Sequence, residues 1–101
     1  MSRKATESKV ATVSTTVIEM SDFSFTSGYL GGARAALVSA FDHDALITFD
    51  GTDPNATTGL GHPLSAVYFN PMYIDGIENV VRIKLIRAGA TDSKVTITLL
   101  R

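Results

Sequence analysis

The chain has 101 residues, 45% of them hydrophobic and 19% charged, with a net charge of −1 and no cysteine. These values describe one globular domain that buries roughly two thirds of its unfolded surface, and they exclude a disordered chain. The near-zero charge argues against a nucleic-acid partner, and the missing cysteines exclude disulfides, thiolate metal sites and a thiol nucleophile.

Low net charge also removes the usual electrostatic defence against self-association. A domain this small without disulfide staples favours an intracellular setting. Residues 1–9 mix both charge signs and are read as a flexible N-terminal arm, ahead of a single β domain over 10–101. No apolar segment of signal-peptide type follows Arg3 and Lys4, and no run reaches the length of a membrane-spanning helix.

Residues 10–20 are rich in Val, Thr and Ile and predict one strand or two short ones. Ser21-Asp22 signals a turn, and Phe23 and Phe25 alternate with Ser24 and Thr26 as a short extended piece. The glycines of Ser27-Gly28-Tyr29-Leu30-Gly31-Gly32 mark a loop. Residues 33–42 are small or apolar on both alternating faces, as in a central strand. After the polar link Asp42-His43-Asp44, residues 45–50 alternate again, which predicts a β-hairpin.

The stretch Asp50–Pro63 holds three of the eight glycines and two of the three prolines, and it predicts a rigid structural crossover. Leu64–Phe69 resumes alternation until Asn70-Pro71 stops it, and Met72-Tyr73-Ile74 is a further short extended piece. Asp75-Gly76 is a turn dipeptide. In residues 77–88, Val81, Ile83 and Leu85 face one way and Arg82 and Lys84 the other. In the last strand Val95, Ile97 and Leu99 alternate with Lys94, Thr96 and Thr98, so the final two strands are expected to form a long antiparallel hairpin. About seven or eight short strands with regular turns predict an all-β antiparallel sandwich or barrel.

Signals for chemistry are weak. Asp42, His43 and Asp44 form the one acid–histidine cluster, but neighbours on a tight turn point apart and no nucleophile pairs with them, so a solvated turn is the preferred reading. Asp50, Asp53 and Asn55 offer hard oxygens without an EF-hand spacing, and His43 and His62 lack a zinc-ligand pattern. Gly59 and Gly61 lack the strand–loop–helix context of a phosphate loop. These features predict no catalytic residues, no metal and no cofactor.

Three segments together resemble a pattern in small structural proteins of tailed bacteriophages. They are Ala35–Ser39; the run Ala45-Leu46-Ile47-Thr48-Phe49-Asp50-Gly51-Thr52-Asp53-Pro54-Asn55-Ala56-Thr57-Thr58-Gly59 with His62-Pro63-Leu64; and the ending Ile83–Ile97 with its Ala88-Gly89-Ala90-Thr91-Asp92 turn. The resemblance covers roughly residues 33–101 and departs at Asn70-Pro71-Met72-Tyr73. It implies a β-sandwich or barrel subunit present in many copies in the virion and assembled in the host cytoplasm. A capsid decoration (cement) protein is the leading expectation. A head–tail or tail component, and a carbohydrate- or surface-binding β-module, are the alternatives. Expected partners are copies of the chain itself, in a ring or trimer, and the major capsid or other virion proteins, with neither nucleic acid nor membrane. Candidate interface residues are Tyr29 and Leu30 in the first glycine loop and Met72 and Tyr73 after Pro71, because aromatic and Met side chains outside the main strands anchor interfaces.

Overall fold

Alternation of apolar and polar residues resolves into eight strands, described in a computed structural model for residues 4–25, 32–67 and 71–101. They are β1 (Ala5–Val13), β2 (Ile18–Glu19), β3 (Ala35–Phe41), β4 (Ala45–Thr48), β5 (His62–Leu64), β6 (Met72–Asp75), β7 (Lys84–Arg87) and β8 (Ser93–Leu100). A 3-10 turn over Met20–Phe23 follows β2, and a single helical turn, α1 (Ile77–Val80), precedes β7.

Two antiparallel four-stranded sheets form a sandwich, ordered β1-β8-β3-β6 and β2-β7-β4-β5. The pairings are nested: β1 with β8, β2 with β7, β3 with β6 and β4 with β5. Wrapping this folded ribbon adds the β3–β8 and β4–β7 ladders. Nested antiparallel pairs rolled into two sheets make the strand order of a jelly roll.

The core lies between the sheets. In β8 the side chains of Val95, Ile97 and Leu99 are buried, as the alternation predicts, and they face Ala40, Val38 and Ala36 of β3 across the ladder. Ile47 of β4 and Leu85 of β7 are register partners from the opposite sheet, and both are fully buried. Burying one such side chain contributes about 1.5–3 kcal/mol, so these inward rows dominate the stability of the domain.

The local reading needs correction in five places. The strand β1 begins at Ala5, whereas an arm was expected through Lys9; residues from Ala5 onward pair with β8, with a bulge between Ala5 and Glu7. Neither expected hairpin exists: β3 and β4 lie in different sheets, and so do β7 and β8. Each of these strands turns one face inward, and the chain buries the inward faces of successive strands on one core by turning a corner from one sheet to the other. Asp42, at φ 58°, makes that corner after β3. The extended run expected over Leu64–Phe69 does not form as such: β5 ends at Leu64, Ala66 and Val67 turn, and residues 68 and 69 lie outside the described residues. Residues 77–82 are not extended. Gly76, at φ 89°, opens a helical turn in which Asn79 and Val80 donate to the Gly76 carbonyl. Finally, Phe23 belongs to the 3-10 turn, and Ser24 at φ 55° brings its ring into a stack with Phe25, 6.1 Å between centroids.

Candidate functional site

The strand β6 carries two of the four candidate interface residues, and its pleat separates them. Met72 is half-buried and packs against the core, whereas Tyr73 is half exposed on the opposite face, where its hydroxyl donates to Asp75 Oδ1 at 3.0 Å. Tyr29 and Leu30 lie outside the described residues.

Tyr73 belongs to a broader surface. Its register partner on β3 is Leu37, which in turn pairs with Thr98 of β8, and Thr98 pairs with Ser8 of β1. The next row along the sheet holds Val10, Thr96 and Ser39, and the row beyond holds Thr12, Lys94 and Phe41. Val10 and Phe41 are both more than 60% exposed. The outer face of this sheet is therefore built of Ser, Thr and apolar side chains, with Lys94 and Asp75 as charges near its margins. A shallow depression of about 470 Å³ runs across it between Val10, Phe41, Pro71 and Thr96. Sequence reasoning missed Val10 and Phe41; the alternation that puts them opposite the core residues was the available signal.

The loop between β4 and β5 sits at the tip of the folded ribbon and connects neighbours in one sheet, so it is not the crossover expected. It is pinned throughout. Asp50 Oδ1 accepts the Thr52 backbone N–H at 3.0 Å, and the Thr48 hydroxyl donates to the Thr52 carbonyl. Asn55 and Leu60 exchange two backbone hydrogen bonds, and Asn55 Oδ1 accepts from the N–H groups of Thr57 and Thr58. Lys84 Nζ meets Asp53 Oδ1 at 2.8 Å. Asp50, Asp53 and Asn55, weighed as metal ligands, thus each serve a separate partner. Among the described residues no group of three or more His, Asp or Glu side chains is placed to hold a metal.

Beside this loop the ring of His62 stacks on Phe49, 5.5 Å between centroids, in an open depression of about 380 Å³ that also includes Asp50 and Leu60. The Thr52 backbone N–H holds the Asp50 carboxyl below its ordinary value, helped by the Thr52 side chain and the nearby His62 charge. The Asp53 carboxylate, accepting a hydrogen bond from Lys84, raises the ammonium above its ordinary value.

The Asp42-His43-Asp44 cluster is a corner brace. Asp42 Oδ1 accepts the Lys94 N–H at 3.3 Å and Asp44 Oδ1 accepts the Ala66 N–H at 2.8 Å. The His43 carbonyl accepts the Ser93 hydroxyl, and the Asp44 carbonyl accepts the Ala88 N–H at 3.1 Å. Both carboxylates accept from backbone donors, and His43 meets Ser93 through its main-chain carbonyl. Comparison with protein-family models, curated proteins and solved structures finds no match.

Proposed function

We propose that the chain is a non-enzymatic structural subunit of a tailed-phage virion, serving as a capsid decoration (cement) protein that stabilises the shell through protein–protein contacts. The observation carrying this reading is the outer face of the β1-β8-β3-β6 sheet. It is broad, nearly free of charge, and exposes Val10, Phe41 and Tyr73. Charge depletion with aromatic anchors suits a surface that becomes covered. The jelly-roll order is compatible with this role, since it recurs in viral capsid domains, but it also recurs in lectins and cupins, so the fold alone does not favour it. The sequence resemblance to tailed-phage structural proteins supplies the virion setting. Copies of the chain and the major capsid protein are the proposed partners.

A carbohydrate-binding module is the second reading, supported by the stacked Phe49–His62 pair beside the Asp50 carboxylate. Quantitative mass spectrometry of purified particles from the source phage tests the first reading. Copy number scaling with the shell lattice supports a decoration protein. A count matching one ring moves the chain to the head–tail or tail machinery, and absence from particles overturns the virion assignment.

A further inference from the structure

The strand β1 lies at the end of its sheet, and it is the longest of the described strands, nine residues from Ala5 to Val13 with a bulge between Ala5 and Glu7. It pairs with β8 on one side only, so the backbone donors and acceptors of its other side form an open edge among the described residues. Long open edges template pairing with another strand unless something blocks them. The other edges are short: β2 has two residues, β6 four, and β5 three, including Pro63.

The side chains of β1 carry a pattern that selects the partner. Glu7, Ser8 and Lys9 form a charge sequence that is complementary to itself when reversed. In an antiparallel ladder of two β1 strands centred on Ser8, Glu7 of each copy faces Lys9 of the other, twice across one twofold axis. Directly opposite residues in such a ladder point to the same side of the sheet, so each charge pair lies on the sheet's inner side. On the outer side Ser8 meets its own copy, and the bulge between Ala5 and Glu7 ends the regular ladder at the Glu7–Lys9 pairs. Centring the ladder on Val10 would set Glu7 opposite Val13 and Lys9 opposite Ala11, and a parallel in-register ladder would oppose like charges. Within one chain Glu7 and Lys9 already approach to 3.9 Å, so both ends of the pattern sit on one side of the strand.

We infer that β1 is the seam of a twofold self-association, in which the antiparallel β1 strands of two copies join their sheets into one eight-stranded sheet, with register set by Glu7 and Lys9. The contact is isologous and closes at a dimer; a ring or trimer would use a different surface. This inference rests on reading the chain as a subunit that assembles with its own copies. The particle count tests the virion assignment and the experiment below tests the seam, so either can fail alone.

The experiment is sedimentation equilibrium of the purified chain, with charge variants and engineered cysteines. Wild type is expected to show a monomer–dimer equilibrium. E7K and K9E should each self-associate at least about tenfold more weakly, because both cross-strand pairs become repulsive. Mixed one to one, they should dimerise again, since every Lys then faces a Glu. The chain has no cysteine, so Ser8→Cys gives a clean second readout. Opposed Cα atoms about 4.5–5.5 Å apart suit a disulfide, and S8C should oxidise to a covalent dimer. V10C should not, because its copy lies about four residues away along the ladder, roughly 13 Å. A wild type that stays monomeric to about 1 mM overturns the inference. So does a dimer whose affinity ignores both charge variants, or cross-linking of V10C as readily as S8C. The cysteine result stands even if a charge variant fails to fold.

Discussion

Ser93, fully buried at the start of β8, donates its hydroxyl to the carbonyl oxygen of His43 at 2.5 Å, bridging positions 50 residues apart. This bond ties the β3–β4 corner to β8, the strand that pairs with β3 inside its sheet. Ser93→Ala leaves that carbonyl without its partner and should cost about 1–3 kcal/mol. His43→Ala keeps the backbone acceptor and should stay within about 0.5 kcal/mol of wild type. Urea unfolding of both variants checks the contrast; a larger loss from His43→Ala would mean that the imidazole, not the main chain, holds the corner.

Gly61 should be the least replaceable glycine of the β4–β5 loop. Its φ is +134°, and an added Cβ would meet Leu46 Cβ at 3.1 Å and both the Ile47 carbonyl and Pro54 Cβ at 3.5 Å. Gly59 also has positive φ, +78°, but open space around it. Gly61→Ala therefore combines backbone strain with crowding and should destabilise by about 1–3 kcal/mol, more than Gly59→Ala. Thermal unfolding of the two variants gives the order.

Asp50 of this loop and Lys84 of β7, which holds the loop's Asp53, should shape the pH dependence of stability in opposite ranges. The Asp50 carboxyl lies below its ordinary 3.8, chiefly through the Thr52 N–H. A depressed carboxyl contributes stability that is fully present above the unfolded value and is lost as pH falls through the folded value. Lys84 lies above its ordinary 10.5, chiefly through its hydrogen bond to Asp53. Its contribution is fully present below 10.5 and is lost as pH rises through the folded value. Asp50→Asn should flatten the acid limb of a stability–pH curve below pH 3.8, and Asp53→Asn the alkaline limb above pH 10.5. Urea midpoints across pH test both, and unchanged limbs would show that these contacts are not kept in solution.

Met72 and Tyr73 should respond differently to truncation although they are neighbours. Met72 packs against the core, so Met72→Ala should cost about 2 kcal/mol or more. Tyr73 stands half exposed on the outer face, and Tyr73→Ala should cost less than Met72→Ala while weakening any assembly that covers this face. Unfolding and sedimentation on the same samples separate the effects. Equal losses of monomer stability would return Tyr73 to the core.

What the sequence determines here is local. Val95, Ile97 and Leu99 point inward because successive side chains of a pleated strand alternate, and this period is visible in any linear reading. The all-β class and the sandwich follow from the same period together with the turn residues between runs. The tertiary structure decides which strand pairs with which. Adjacency in sequence suggested β3 with β4 and β7 with β8, but these neighbours are sent to opposite sheets so that both inward faces close on one core. Alternation also could not expose α1, a four-residue turn too short to show a helical period. The outer face is the same lesson for function. Val10, Phe41 and Tyr73 are far apart along the chain, and only the nesting of β1, β8, β3 and β6 brings them to one side of one sheet, because backbone hydrogen bonds between distant segments carry no signature in either segment alone.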